Sequence, residues 1–150
     1  MASFTTYSFL DVTATLVGPN GIASLGSNSG VAEEGVSFSF AEDQDTMTIG
    51  ADGTGMHSLH AGQAGTVSVR FLKSSPTNAI LDALYQADRN VPSTSGQNTI
   101  VVTWLAGGDV TTAFQCAFKK FPDVVYGKDA ALLDWVFNAI RITPLLGAGQ

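Results

Sequence analysis

Positive charge is missing from the first half of this sequence. No lysine or arginine precedes Arg70, although the same stretch carries seven carboxylates. These acidic residues are Asp11, Glu33, Glu34, Glu42, Asp43, Asp45 and Asp52. A surface built from this half repels phosphate and other anions. The seven lysines and arginines of the second half are too few and too scattered to neutralise a nucleic-acid backbone, so we expect no tight binding of DNA.

Charge of either sign is also scarce. Charged residues make up 13% of the chain, against about 25% in a typical soluble domain, and hydrophobic residues reach 45%. A monomer with so few charges would expose more apolar surface than a soluble protein can carry. The composition therefore favours burial of additional apolar surface against partner molecules. The alternative is a well-covered β-barrel whose exterior is rich in Ser, Thr and Gly.

Long apolar runs and paired cysteines are absent as well. No stretch reaches the roughly 18 uninterrupted apolar residues that span a bilayer, and residues 1–10 have no basic region before an apolar core. We therefore expect a cytosolic protein without a membrane partner. Cys116 is the single cysteine, and its alternating apolar surroundings indicate a buried side chain. The 150 residues are enough for one domain, 1–150, with its own core.

Alternation of apolar and polar residues dominates the chain and predicts strands at residues 7–17, 36–40 and 65–73. Residues 18–21, Gly-Pro-Asn-Gly, are a strong turn signal after the first strand. Residues 22–35 are rich in Gly and Ser and then acidic, which indicates a loop.

An acidic cluster of Glu42, Asp43 and Asp45 follows the strand at 36–40. If residues 47–50 return as a short strand, this cluster is the tip of a hairpin. Residues 50–65 then contain five glycines without sustained periodicity, which predicts a loop of about 15 residues, longer than most connections. Loops of that length are usually functional.

One helix is clearly indicated. Ser75 suits its N-cap and Pro76 its first position, where the missing N–H has no cost. The helix should end near residues 89–90. Its apolar stripe consists of Ile80, Leu81, Leu84 and Tyr85. We expect Phe71, on the strand before it, to pack in the core against this stripe.

Residues 100–118 form a predicted hairpin around 107–109. A two-residue loop pairs Val102 with Ala113. A three-residue loop pairs Val102 with Phe114 and Ile100 with Cys116 on one apolar face, and we favour it because register follows the buried face. Residues 132–142 satisfy a helical stripe but also have high β propensity, so they fit either structure.

Catalytic and metal-binding machinery is not visible in the sequence. Residues 50–55 have the glycine content of a phosphate loop in the wrong order. Residues 43–45 begin like a calcium loop, but Thr48 and Thr54 replace the Gly and Glu it requires. His57, His60 and Asp52 could form a metal site, yet without a second ligand cluster we favour polar contacts. We expect no catalytic residue, no metal and no cofactor.

A specific similarity to known proteins lies in the central block of the chain. It is carried by residues 46–53 (Thr-Met-Thr-Ile-Gly-Ala-Asp-Gly) and 56–62 (Met-His-Ser-Leu-His-Ala-Gly), and it continues through 65–67 and 72–78 into the helix. These residues resemble a family of bacteriophage structural proteins, the inner tube subunits of long-tailed phages, particularly contractile ones.

The resemblance implies a mainly β (α+β) fold, an antiparallel β-barrel or sandwich with one flanking α-helix. It implies a structural protein rather than an enzyme. Six copies would form a ring, and stacked rings would form a hollow tube through which DNA and a tape-measure protein pass. It further implies a place in the virion tail, assembly in the host bacterial cytoplasm and, if the tail contracts, a sheath as partner. Contractile and non-contractile tails stay open alternatives.

Within such a tube, two groups of residues are candidate sites. Glu42, Asp43, Asp45 and Asp52 are candidates for lining the bore, and Met56, His57, Leu59 and His60 are candidates for contacts between rings. An ordinary solvated hairpin tip, outside the tube or at a ring face, is the alternative for the acidic residues. Two other functions compete with a tube: a small acidic monomeric binding module that uses the 50–65 loop, and a hydrolase with an unrecognised site.

Overall fold

The computed structural model describes residues 6–26 and 31–148, and side chains from residue 35 onward in the second range. The strands are β1 (Val12–Gly18), β2 (Gly21–Ser24), β3 (Val31–Phe40), β4 (Asp45–Ile49), β5 (Gly55–Leu59), β6 (Gly65–Phe71), β7 (Asn98–Trp104), β8 (Asp109–Lys120) and β9 (Leu133–Leu145). One α-helix, α1 (Thr77–Asn90), joins β6 to β7. Within the described ranges, no helix is long and apolar enough to cross a bilayer.

Seven of the strands form one antiparallel sheet in the order β2-β1-β7-β8-β9-β6-β3, while β4 and β5 pair only with each other. The predicted class, a mainly β fold with a single α-helix, is confirmed. The edges of the larger sheet are β2 and β3, and the second sheet stands outside it.

The core is built on the pairing of β6 with β9. Val67 lies opposite Phe137, and Val69 lies opposite Trp135, so that large side chains face each other on the buried side of the sheet. Phe71 is fully buried beside them, as the alternation of its strand predicts. The other core side chains come from β1, β2, β7, β8 and α1, in one cluster.

Helix α1 covers part of this core. Leu81 and Leu84 are buried as predicted, and Tyr85 packs against the cluster. The prediction for Ile80 is wrong, since 45% of its surface is exposed. The buried positions are 77, 81, 84 and 88, and this stripe leaves residue 80 on the flank of the helix.

Two polar contacts fix the ends of α1. The Thr77 amide donates to the Ser75 hydroxyl at its start, although Pro76 occupies the N-cap position predicted for Ser75. Near its end, the Asn98 side-chain amide donates to the buried carboxylate of Asp88 at 3.0 Å. The helix is thereby tied to β7 by a satisfied polar pair instead of by apolar contact alone.

The N-terminal elements differ from prediction. The strand predicted at 7–17 begins only at Val12, because Phe9–Asp11 form a 3-10 turn. The loop predicted at 22–35 is wrong, since it contains β2 and the first half of β3. Gly35, at a φ of 66°, lies where the pairing of β3 with β6 shifts register, and such a glycine bulge disguises the strand in the sequence.

Both predicted registers of the hairpin at 100–118 are also wrong. Val102 pairs with Thr111 and Ile100 with Ala113, which leaves residues 105–108 as a four-residue loop. Further along β8, Gln115 has a φ of 54° and the register shifts. This irregularity lets Ala113 and Cys116 both face the core although they are three residues apart. Residues 132–142, which fitted either structure, lie in or next to strand β9.

Replacing Phe71 with alanine should lower the free energy of unfolding by about 3–5 kcal/mol, because the change leaves a cavity in a closely packed core. Urea denaturation followed by circular dichroism measures this loss. Phe40→Ala is the control, since that side chain is half exposed and its truncation should change stability little. Equal stability losses in the two variants would contradict the assignment of Phe71 to the core.

Candidate functional site

A protruding ribbon is the most unusual surface of the protein. It consists of residues 41–64, which leave the sheet at the end of β3 and return at the start of β6, and we call it the arm. Every residue from 39 to 64 is exposed. Its strands β4 and β5 pair with each other and with no strand of the larger sheet. The arm therefore contributes nothing to the core, although it is regular secondary structure.

The arm has two different faces. Directly paired residues of an antiparallel ribbon lie on the same side, and the sides alternate along each strand. One side, the apolar face, carries Asp45, Met47, Ile49, His57 and Leu59. The other side, the polar face, carries Thr46, Thr48, Met56, Ser58 and His60. On the apolar face Met47 is 61% exposed, Ile49 56% and Leu59 77%.

A histidine makes a polar contact on each face. On the apolar face, His57 Nδ1 lies 2.8 Å from Asp45 Oδ2. On the polar face, His60 Nε2 lies 2.6 Å from the Thr46 hydroxyl. Both contacts join β4 to β5 and hold the ribbon in register. The metal site considered for the two histidines and Asp52 is not assembled, and the described residues contain no group of three metal ligands.

The tip of the arm is a tight turn at residues 50–54. The Thr54 amide donates to Asp52 Oδ1 at 3.0 Å, and the Gly50 amide donates to the Thr54 carbonyl at 2.7 Å. Gly53 has a φ of 89°, which only glycine adopts without strain. The hydrogen bond from Thr54 lowers the pKa of Asp52, because it stabilises the ionised carboxylate. The Asp52 carboxylate therefore helps to stabilise the turn.

The acidic cluster lies at the base of the arm, and its predicted position at a hairpin tip is wrong. β3 pairs with β6 and β4 pairs with β5, so Glu42 and Asp43 stand where the chain passes from one sheet to the other. Asp52 lies beyond the other end of β4, whose four residue steps alone span about 13 Å at the usual rise of a strand. The predicted loop at 50–65 is likewise wrong, because it contains β5.

A groove of about 710 Å³ lies beside this base. Its apolar lining includes Phe40, Leu59, Ile142 and Pro144, and its polar rim includes Glu42, Asp43 and His60. Two backbone hydrogen bonds anchor the arm here, from Ala41 to the Ala64 carbonyl and from Ile142 to the Gln63 carbonyl, each at 2.9 Å.

The arrangement separates the predicted contact residues. His57 and Leu59 lie on the apolar face, whereas Met56 and His60 lie on the polar face. Sequence reasoning missed Met47 and Ile49, which complete the apolar face. The alternation of Thr46 to Ile49 carried this signal, and it was used only to suggest a short strand at 47–50, without assigning its faces.

Comparison with known protein families identifies the family of the whole chain. The model of the family described as the bacteriophage PhiTE tail tube protein matches residues 4–147. This chain belongs to that family. It is therefore a structural component of a phage tail tube and not an enzyme. No relative among the curated proteins matches at a significant level.

Solved structures share the fold of this tail tube family member. One is from the anti-feeding prophage baseplate, 6-fold symmetrised, with a TM-score of 0.63 and 8% identity, covering 97% of both chains. Two are from an extracellular contractile injection system. Its sheath/tube terminator gives a TM-score of 0.61 and 12% identity, covering 96% of this chain and 99% of that chain. Its sheath-tube complex gives a TM-score of 0.58 and 9% identity, covering 96% of this chain and 93% of that chain. At these identities the likeness shows the fold alone.

The Asp52 carboxyl should titrate below the usual aspartate pKa of about 3.9, because the Thr54 amide stabilises its ionised form. The turn's stabilisation is then complete above the ordinary pKa and is lost as pH falls through the folded value. Carboxyl NMR across an acid titration measures the midpoint, and the Thr54 amide shift should follow it. A midpoint at or above that of a short aspartate peptide would contradict the assignment.

Proposed function

We propose that this protein is the repeating subunit of the tail tube, with six copies in a ring and rings stacked around an open bore. The whole chain acts as one tube domain, and DNA and a tape-measure protein pass through the bore. The observation that carries this proposal is the arm, a regular ribbon exposed along its whole length. A structure of the same fold comes from a six-fold symmetrised assembly, which supports six copies.

The arm's physical chemistry supports a contact between rings. An isolated two-stranded ribbon is marginally stable in water, so it gains most from an apolar surface that covers one face. Met47, Ile49 and Leu59 offer such a face on every subunit. Identical subunits that meet through two different surfaces stack without a built-in end, so another molecule must set the length. We assign that task to the tape-measure protein.

Contacts within a ring are the second requirement. The larger sheet has open edges at β2 and β3, each with backbone groups able to pair. Pairing of one subunit's edge with its neighbour's would close the ring and cover both edges. Low charge in the chain favours this burial, because few charged groups have to lose their water.

The bore is the proposed location of the acidic residues at the arm's base. Among Glu42, Asp43, Asp45 and Asp52, the first two are the stronger candidates. Asp45 is engaged by His57, and Asp52 accepts the turn's hydrogen bond. A ring of carboxylates repels the DNA backbone from all sides, so that DNA slides without being held.

A sheath around the tube is the further partner that we propose. Two solved structures with this fold come from a contractile injection system, one of them described as a sheath-tube complex. We therefore favour a contractile virion tail. Its tube would assemble in the host bacterial cytoplasm. The competing monomeric binding module is disfavoured, because Met56 and Leu59 of residues 50–65 expose large apolar side chains, which are typical of a protein contact surface.

The paired change Met47→Ser and Leu59→Ser should abolish long tubes while leaving the subunit's melting temperature nearly unchanged, because both side chains are exposed and neither belongs to the buried cluster. Negative-stain microscopy at high protein concentration and thermal circular dichroism measure the two effects. Met56→Ser is the matched control, as it removes an equally exposed methionine from the polar face. Loss of the fold, or equal loss of tubes in the control, would contradict this role of the arm.

Changing Glu42 and Asp43 to lysine should leave folding intact, since exposed charges contribute little to stability. Phage particles with such tails should attach normally but release DNA slowly, and the delay should shrink as salt screens the attraction. Real-time ejection assays measure the rate. Glu42→Gln with Asp43→Asn is the control, since it removes repulsion without adding attraction. Normal ejection from well-formed lysine-variant tails would exclude these residues from the bore.

A further inference from the structure

A pocket lies at the end of the sheet opposite to the arm. We propose that the apolar face of one subunit's arm docks into this pocket on a second copy in the next ring. This inference rests on the proposed tube, and it identifies which two surfaces hold the rings together.

The pocket lies where β6 ends, between the start of α1 and the segment 121–132, and has a volume of about 230 Å³. Its floor is aromatic and aliphatic, formed by Phe121, Leu133 and Trp135. Phe121 and Trp135 are edge-to-face neighbours with centroids 5.3 Å apart, and the Trp135 indole donates to Asn78 on α1. These contacts make the floor rigid, which suits it to receive a side chain.

The rim of the pocket carries exposed apolar side chains together with two charged ones, Lys73 and Asp82. Val124 and Tyr126 line one side, and 85% of the Tyr126 side chain is open to water. Lys73 Nζ lies 4.6 Å above the centroid of the Tyr126 ring, so a cation stands beside the apolar rim. Val125, in the same segment, is also half exposed. Exposed apolar side chains beside a pocket are typical of a contact surface.

The positions of arm and pocket fit a head-to-tail stack. The arm joins β6 at Gly65, and the pocket adjoins Lys73, just past the other end of the strand. Six residue steps along β6 separate these ends by about 20 Å. A contact between opposite ends of identical subunits propagates along an axis, whereas a contact between equal ends stops at a pair.

Charge selects this pairing over arm-to-arm contact. The arm carries four carboxylates and no lysine or arginine. The pocket's end of the molecule holds five of the chain's seven cations against four carboxylates: Arg70, Lys73, Lys119, Lys120 and Lys128 against Asp82, Asp123, Asp129 and Asp134. Two arms therefore repel each other, and an arm is attracted to the lysine-bearing end of the next subunit.

One residue pair sets the register of the docked arm. Leu59 is the most exposed large apolar side chain of the arm, and Asp45 is its direct cross-strand partner. If Leu59 enters the pocket, the carboxylate of Asp45 arrives next to the rim, where Lys73 lies over Tyr126. The apolar anchor and the ion pair then form together.

Disulfide trapping tests the contact directly. Cys116 gives no background, because it is fully buried and burial raises its pKa to about 11. Subunits with Leu59→Cys are mixed with subunits carrying Val124→Cys, assembled and oxidised. Cross-linked dimers on a non-reducing gel are the expected result. Met56→Cys, on the polar face of the arm, should give no dimer with the same partner.

Two further measurements separate docking from chance collision. In assembled tubes, the Val124→Cys thiol should be protected from maleimide, and it should react in free subunits. Asp45→Lys should shorten the tubes, and adding Lys73→Asp to the same chain should restore their length. Restoration would not follow if the first change acted only through the lost His57 contact.

The outcomes distinguish this inference from the tube proposal. Long tubes in which Leu59→Cys and Val124→Cys never cross-link, or in which position 124 stays reactive, would overturn the pocket assignment and leave the tube standing. Protection of position 124 only after sheath protein is added would assign the pocket to the sheath and overturn the inference. Unchanged protein that forms neither rings nor tubes at any concentration would overturn both proposals.

Discussion

The pairing of β6 with two strands at once is the constraint on which the rest of the structure depends. β6 lies between β9, which supplies the largest core side chains, and β3, which leads into the arm. Gly65 stands at this junction, where a Cβ atom would clash with the Ser39 carbonyl oxygen and the Ile142 side chain. A rigid core therefore begins one residue after a fully exposed arm, and changes in one need not disturb the other.

Sequence reasoning succeeded for a strand with one clearly buried face and failed for the arm, which buries neither face. β6 was predicted well, because Val67, Val69 and Phe71 alternate with polar residues and all face the core. The arm was read partly as loop, since its strands bury neither face and its glycines mimic a flexible segment. The hairpin of β7 and β8 failed for another reason: the irregularity at Gln115 shifts which residues face inward, and no composition signal marks it.

The sequence was enough to predict the family of the protein, but it did not predict how the residues of the candidate site are arranged. The resemblance carried by residues 46–78 indicated a phage tube protein, and the family match confirms it. His57 and Leu59 were named as contact residues and share the apolar face, but Met56 and His60 lie on the other side. The four carboxylates looked like one group because they are close in sequence, whereas strand pairing places Asp52 far from Glu42. The pocket near Tyr126 had no sequence signal, since it is formed by segments distant along the chain.

Exposed apolar ribbons are a hazard as well as a means of assembly, and the charge pattern addresses both. A free arm presents open edges and four large apolar side chains, the features that promote random pairing between chains. Four carboxylates with no cation on the same segment oppose the approach of two arms. They do not oppose approach to the end of the molecule that carries Lys73 and Lys128. In the proposed tube, this one asymmetry would keep free subunits apart, orient their stacking and repel nucleic acid in the bore.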